Sequence, residues 1–201
     1  MLDTVIEYTA VLCNAIYLIL ISQKKIVGWI FGVLASALTM YYCLRAGLNA
    51  EAFLMLFYIG AGFYGYYAWK KKSLETSIDK VHGTDRNPGI QIVQWSLLKH
   101  LLFIAACAAL SGLVYLIVNE IPGSKKPLLD SFTTGFAILV TFMVAVKELH
   151  NWLYWLVING VSIYLYLDRE LEVYAYQMIG FQVMAIYGYY QWIKLYKNQK
   201  A

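Results

Sequence analysis

The chain has 201 residues, of which 61% are hydrophobic and 14% charged, with a net charge of +4. Soluble domains carry about 25% charged residues, so this chain has too little polar surface to cover a water-soluble fold. The composition predicts an all-α integral membrane protein, because helices satisfy their own backbone hydrogen bonds in lipid. It also excludes nucleic acid as a partner, since the sequence offers no basic, solvated face.

Seven apolar segments reach or approach the roughly 17–25 residues that a helix needs to cross a bilayer. In chain order they are predicted at 5–21, 26–44, 52–69, 97–118, 128–146, 151–167 and 173–193. The polar stretch after the third segment predicts a solvated cytoplasmic loop. We therefore expect three units: 1–72 with three spans, 73–127 with the loop and a linker span, and 128–201 with three more spans.

Lysine and arginine are distributed unequally between the two sides of the membrane that these spans define. Twelve of the sixteen lie on one side, and the other side holds only Arg45, Lys125, Lys126 and Arg169. Because basic loops are retained in the cytoplasm, the N-terminus is predicted outside and the C-terminus inside. The sequence thus predicts a multi-pass membrane protein.

An internal repeat appears when the sequence is shifted by 123 residues. The stretch YGYYAW at 64–69 aligns with YGYYQW at 187–192, and Trp29 aligns with Trp152 in the same ungapped register. A three-span unit ends on the side opposite its start, so one linker span between two units restores their orientation. The sequence therefore predicts a 3+1+3 parallel repeat of the SWEET type, in which a substrate lies between the halves.

Four residues of the sixth span share one helix face and form the central candidate site: Trp155, Asn159, Ser162 and Tyr166. A tryptophan can stack on a flat heteroaromatic ring, while an amide pairs with a carboxamide or a ribose hydroxyl. The alternative is that Asn159 bonds a neighbouring helix and the tryptophans anchor at the lipid headgroups. We favour a ligand for Trp155 and Asn159, which lie near mid-span, and headgroup anchoring for Trp152.

Polar or aromatic side chains in other spans complete the candidate substrate-binding set: Asn14, Ser36, Tyr58 and Gln177. Ser36 is the repeat equivalent of Asn159, so the halves present unequal polar groups, as an asymmetric substrate requires. Gln177 is preferred to Gln182 because it lies one turn from Tyr174. Asn14 could equally form a hydrogen bond to a neighbouring helix, and Tyr58 could equally be a packing residue.

The aromatic residues of the two YGYYxW motifs, with the lysines that follow them, are interpreted as a cytoplasmic interfacial belt. Within this belt Tyr66 and Tyr189 are expected to face the pathway, with Tyr166 as a further pathway aromatic. The three cysteines and three histidines show neither metal-ligand spacing nor a catalytic motif. We therefore expect no metal, no cofactor and no enzymatic activity.

The central turns of the second, third, sixth and seventh spans contain no Asp, Glu, Lys or Arg. Coupled carriers place ionisable groups or unwound helices there, so the sequence predicts uncoupled, downhill transport. No Walker-type glycine loop is present, and ATP is not expected to be consumed. A seven-helix receptor and an intramembrane enzyme are alternatives, but neither class accounts for a parallel repeat around a linker helix.

Two motifs carry a resemblance to a known family: YGYYxW at the end of the third span, and NWLYWLVxNxVSIYLYL in the sixth. With their flanking spans they resemble the PnuC family of nicotinamide riboside transporters, over nearly all of the chain outside 73–96. The resemblance implies a homotrimer that passes its substrate by facilitated diffusion, with trapping by a cytoplasmic kinase. Thiamine carriers share the fold and remain an alternative, since Met55 stands where the resemblance implies a glutamine.

Overall fold

The computed structural model describes residues 2–45, 49–81, 91–120, 126–170 and 172–200. Seven helices lie in these ranges, which confirms the all-α prediction. They are α1 (Leu2–Ser22), α2 (Gly28–Arg45), α3 (Asn49–Val81), α4 (Leu97–Val118), α5 (Pro127–Ala145), α6 (Asn151–Asp168) and α7 (Glu172–Lys200). All but two begin and end within about three residues of the predicted spans, because the apolar runs set the helix ends.

The third and seventh helices continue well beyond the predicted spans. The loop predicted from residue 73 is wrong as far as Val81, because α3 continues to that residue. The polar segment that follows Trp69 contains four lysines, which are good helix formers, and neither proline nor glycine as far as Val81, so the helix extends past the apolar run. Residues 82–90 of the predicted loop lie outside the described residues.

Within the described ranges, three helices are long and apolar enough, by length and composition alone, to cross a membrane. They are α1 over Val5–Ser22, α4 over Leu97–Val118 and α5 over Pro127–Ala145. The other four contain more tyrosine, tryptophan and polar residues, so composition does not by itself identify them as spans. The count of seven spans therefore stays a prediction for α2, α3, α6 and α7.

Six of the seven helices pack into a closed cycle, referred to below as the helix cycle. Around it the order is α1, α2, α3, α5, α6, α7 and back to α1, each helix contacting the next. The fourth helix, α4, lies outside the cycle. Among the described elements its backbone approaches only α5, and its side chains His100 and Phe103 also contact Tyr154 of α6. Its leucines Leu97, Leu98, Leu101 and Leu102 are exposed, so α4 presents a wide apolar surface.

The ends of α1 and α5 have the same backbone geometry, 123 residues apart. Lys24 and Lys147 each follow the helix in the left-handed region, with φ of 57° and 60°. The N–H of Lys24 donates to Ile21 O at 2.9 Å, and that of Lys147 to Val144 O at 3.0 Å. In both helices the next N–H reaches five residues back at 2.9 Å. This is the Schellman ending that usually has glycine at the left-handed position.

Four tryptophans are packed in two perpendicular pairs beside these helix ends. Trp29 and Trp69 have ring centroids 5.6 Å apart at 88°, and Trp152 and Trp192 have theirs 5.4 Å apart at 89°. All four indoles are buried. The predicted headgroup anchoring of Trp152 is therefore wrong, and the tryptophans of the YGYYxW motifs do not belong to an interfacial belt.

The glycine of each YGYYxW motif explains why these indoles are buried. A Cβ on Gly65 would lie 2.4 Å from the Trp29 ring, and one on Gly188 would lie 2.6 Å from the Trp152 ring. Only a residue without a side chain lets the indole lie flat against the neighbouring helix. The motif thus supplies both the space for one tryptophan and the tryptophan that packs against it.

Two indole hydrogen bonds join the two halves of the helix cycle. Trp69 Nε1 on α3 donates to the carbonyl of Ala145 at the end of α5, at 2.8 Å. Trp192 Nε1 on α7 donates to the carbonyl of Ile21 at the end of α1, at 3.3 Å. Both bonds lie at the end that the charge distribution predicts to be cytoplasmic, called the inner end below.

Candidate functional site

Five tyrosines from five helices of the cycle form what we call the tyrosine network: Tyr17, Tyr42, Tyr58, Tyr166 and Tyr174. All five are half-buried. Tyr58 is close enough to Tyr17 and Tyr166 to interact electrostatically with both. The ring of Tyr174 lies 5.6 Å from that of Tyr166, and its hydroxyl group interacts with that of Tyr42.

The tyrosine network crosses the interior of the helix cycle. Tyr58 is on α3 and Tyr166 on α6, and α5 separates these two helices in the cycle. Side chains from non-adjacent helices can meet only across the space that the cycle encloses. Tyr17 lies close to the inner end of α1, whereas Tyr166 lies close to the outer end of α6. The network therefore extends along most of the length of this interior.

Two members of the network, Tyr58 and Tyr166, are among the residues that the sequence predicts for the site. Tyr17 and Tyr42 were not predicted, although both lie in apolar spans. The chain has 18 tyrosines, and spacing along one helix cannot show which of them meet across a ring of six helices. The aromatic richness of the sequence was the available signal.

The predicted amide on α6 is buried and has no partner. Asn159 is 5% exposed, and no other described residue forms a hydrogen bond with its side chain. The interhelical bond considered as its alternative role is not formed in this conformation. Buried polar groups in native proteins almost always have a partner, so an amide without one is available to a ligand.

The other predicted polar residues are half-buried and likewise have no side-chain hydrogen bond within the described ranges: Asn14, Ser36, Ser162 and Gln177. On α7 the side-chain oxygen of Gln182, Oε1, is fully buried, and no described residue donates a hydrogen bond to it. That orphaned oxygen makes Gln182 as strong a candidate as Gln177, which the sequence favoured. Unpaired polar groups thus lie on four helices of the cycle.

The predicted aromatic residues outside the network have packing contacts. Trp155 is half-buried against the apolar clusters on both sides of α6. Tyr189 packs against the buried cluster that contains the four tryptophans of the inner end. Tyr66 lines an open groove between α2 and α3, beside Trp29 and Val33. Trp155 lies one helical turn from Asn159 on α6, whereas the contacts of Tyr66 and Tyr189 lie at the inner end. The roles of all three residues in the pathway stay predictions.

A buried lysine lies at the inner end, outside the predicted spans. Lys147 is 2% exposed, and its ammonium group lies 4.5 Å from the centre of the Trp69 ring. Burial, together with the smaller effect of repulsion from Lys72 and Lys24, lowers the pKa of Lys147 to about 7. The aromatic face stabilises the charged form, so the lysine is poised between its two charge states near neutral pH.

Comparison with known proteins gives consistent similarities over almost the whole chain. The sequence profile described as nicotinamide mononucleotide transporter matches residues 4–194. The chain is 22% identical to the nicotinamide riboside transporter PnuC of Escherichia coli (strain K12), an alignment covering 94% of this chain and 84% of the relative. It is 24% identical to the PnuC of Neisseria mucosa, with 100% of this chain and 74% of the relative covered.

A solved structure has the same fold. The crystal structure of the vitamin B3 transporter PnuC superimposes with a TM-score of 0.77 at 21% sequence identity. The superposition covers 98% of this chain and 84% of that chain. At this identity the similarity establishes the arrangement of the helices.

Proposed function

Because the chain belongs to the nicotinamide mononucleotide transporter family, we propose that it carries nicotinamide riboside across the bacterial inner membrane. The observation that carries the proposal is the tyrosine network inside the helix cycle. The buried Asn159, which has no hydrogen-bond partner among the described residues, lies on α6 together with Tyr166 of the network. The nicotinamide ring of the riboside is a cation, and aromatic faces attract cations. The phenol and amide groups can pair with the ribose hydroxyls and the carboxamide.

The interior favours a riboside over a mononucleotide. A phosphate group is usually bound by arginine, lysine or the N-terminus of a helix. The central turns of α2, α3, α6 and α7 contain no lysine or arginine, and the buried Lys147 lies at the inner end. Aromatic and amide groups suit the uncharged ribose better than they suit a phosphate.

Thiamine is the second candidate, because it also combines a cationic ring with groups that form hydrogen bonds. The same tyrosine network would attract it by the same interaction. Four half-buried polar side chains from α1, α2, α6 and α7 suit the several hydroxyl groups of a ribose, which thiamine lacks. On this basis the riboside is the first candidate.

For the mechanism, we propose that the two halves of a 3+1+3 parallel repeat rock about the interior. The halves are 1–72 and 128–201, and 73–127 connects them through α4. The matched helix ends, the matched tryptophan pairs and the reciprocal indole bonds support this division. Parallel repeats with the substrate between them are a recurrent transporter design.

Transport is proposed to be facilitated diffusion, with trapping of the substrate by a cytoplasmic kinase. The absence of charged residues from the central turns supports uncoupled movement. The basic residues at the inner end support an external N-terminus and a cytoplasmic C-terminus. A homotrimer is supported by the exposed leucines of α4, which lies outside the helix cycle of its own chain.

Calorimetric binding to the purified protein tests the substrate. Nicotinamide riboside is expected to bind, with at least tenfold weaker binding of both nicotinamide mononucleotide and thiamine. Asn159→Ala is expected to weaken binding of the riboside at least tenfold. Tyr174→Phe, in the network, is expected to weaken it several-fold, while Tyr176→Phe, at a residue 65% exposed, leaves it unchanged. Failure of all three ligands to bind would overturn the assignment.

Counterflow in liposomes tests the mechanism separately from the substrate. Preloaded riboside is expected to drive uptake of labelled riboside without an ion gradient. Uptake that requires a proton or sodium gradient would overturn uncoupled transport and leave the substrate assignment intact.

A further inference from the structure

A cluster of two histidines and one glutamate lies at the inner end, apart from the tyrosine network. His100 is in the first turn of α4, while Glu148 and His150 lie in the turn between α5 and α6. One ligand atom from each of the three lies within 4.8 Å of the others. We propose that this cluster is a binding site for a divalent transition metal ion, with zinc as the preferred ion.

The distances suit a single ion. Glu148 Oε1 lies 2.9 Å from His150 Nδ1 and 3.5 Å from His100 Nε2. Around a tetrahedral zinc ion with bonds of about 2.0–2.1 Å, ligand atoms are separated by about 3.3 Å. Two imidazole nitrogens and one carboxylate oxygen form a zinc ligand set that leaves the fourth position to water.

Two orphaned polar atoms point to a missing cation. Glu148 is fully buried, and its Oε2 has no hydrogen-bond partner within the described part of the chain. His100 Nε2 is likewise buried, with no partner that meets hydrogen-bond geometry. The other oxygen, Oε1, accepts a hydrogen bond from Trp95 N–H at 3.3 Å. A buried carboxylate without full compensation is costly, and a cation held by Glu148 and His100 would compensate its charge and give His100 Nε2 a partner.

The surroundings hold the ligands in place. His100 Nδ1 lies 3.0 Å from the Tyr154 hydroxyl, a contact that leaves Nε2 free to coordinate, as the outer partners of metal-bound histidines do. The main chain of Glu148 accepts a 2.6 Å bond from the Asn151 side chain. Val93, just before α4, pairs with the main chain of Lys147 and Leu149 at 3.0 and 2.8 Å. A metal ion here would fasten the linker helix to the second half of the cycle.

Zinc titration of the full-length protein, stripped with chelator, tests the site. We expect one zinc ion per chain, together with a higher melting temperature that chelator reverses. His150→Ala is expected to weaken zinc binding at least tenfold, and Tyr154→Phe is expected to weaken it several-fold. His82→Ala removes the third histidine of the chain and is expected to leave zinc binding unchanged. Absence of zinc binding to the wild type, or its retention in His150→Ala, would overturn the proposal.

A cobalt spectrum keeps the test decisive if a variant fails to fold. Co²⁺ bound to the wild type is expected to give the intense visible bands of a four-coordinate ion, and zinc is expected to displace it. The weak bands of six-coordinate, hydrated cobalt would show that the cluster does not bind the ion, and would overturn the proposal.

Discussion

The turn between α1 and α2 and the turn between α5 and α6 have the same backbone and different surroundings. In both, a lysine with positive φ ends the first helix, and a buried tryptophan in the first turn of the next helix packs against a glycine. In the first turn Lys25 and Val27 are exposed; in the second, their equivalents Glu148 and His150 are buried and half-buried. Among the described residues, the segment before α4 covers the second turn, through the bridge between Val93 and Glu148.

The comparison shows that the backbone path of a turn and the burial of its charged side chains have different causes. Local hydrogen bonds and the tryptophan–glycine contact set the path of the turn, because they recur in both places. The burial of charge is set by what packs on the turn from outside, because only the covered turn holds a buried lysine and a buried glutamate. Repeated sequence therefore predicts the backbone, and the unrepeated segment determines the chemistry.

Removing the motif tryptophans should have the largest effect on this matched architecture. Trp69→Ala and Trp192→Ala each remove a fully buried indole, which costs about 3–5 kcal/mol. Trp69→Ala should cost more, because its bond to the opposite half is the shorter one, 2.8 Å against 3.3 Å. Unfolding in detergent measures both, with exposed Tyr67→Ala as control. Equal losses of stability in the two variants would contradict the prediction that the shorter hydrogen bond, to the second turn, contributes more.

Filling the motif glycines is the next test. Gly65→Ala and Gly188→Ala should each cost about 1–3 kcal/mol by overpacking, because the added methyl group meets an indole ring in each case. Gly60→Ala and Gly180→Ala are the matched controls, since a Cβ there meets nothing within 4 Å. The controls should be neutral or gain up to about 1 kcal/mol of helix propensity. A motif variant as stable as its control would show that the indoles can move aside.

The buried lysine makes stability depend on pH in the second turn. Lys147 has a pKa of about 7 when folded and 10.5 when unfolded, so between these values the unfolded chain holds the extra proton. Stability should therefore rise from pH 7 to pH 10, on the order of 2 kcal/mol, since the Trp69 contact offsets part of the shift. Melting temperatures against pH measure the rise.

Two lysine variants test whether this pH dependence belongs to the covered turn. Lys147→Met should abolish most of the rise in stability, because it removes the group that titrates. Lys24→Met should reduce the rise less, because Lys24 is only half-buried. A wild-type-like pH profile in Lys147→Met would refute the role of this lysine.

The smallest effect is expected from copying a histidine into the uncovered turn. Val27 is the repeat equivalent of His150 and is 52% exposed, so Val27→His should change stability by less than about 0.5 kcal/mol. It should add no second zinc ion, because Lys25 stands where the second turn has its glutamate. A second zinc equivalent in the titration would show that the covering segment is not needed for binding.

Most of the helical fold was predictable from the sequence, because apolar runs and polar breaks mark helix ends directly. The bounds of α4 match the prediction at both ends. Where helices leave the apolar region, as α3 does after Trp69, hydropathy no longer marks their ends and the prediction fails. The resemblance to the PnuC family and the expectation of a transporter are confirmed by the family match and the named relatives.

The candidate site was predictable only where its residues share a helix. The stripe through Asn159 and Tyr166 follows from helical spacing, whereas the approach of Tyr17 and Tyr58 depends on how separate helices pack. The histidine–glutamate cluster joins positions 48 residues apart, because α4 packs on α5. Tryptophan burial was misjudged for the same reason, since the glycine that admits each indole lies on another helix.

The two indole hydrogen bonds connect the two halves of the helix cycle at the inner end. One joins α3 to α5 and the other joins α7 to α1, so parting the halves at this end breaks both. Each parting leaves a buried donor without an acceptor, at a cost of about 1–3 kcal/mol. In the conformation described, both bonds hold the two halves together at the inner end, and the Trp192 bond is the longer of the two, at 3.3 Å against 2.8 Å.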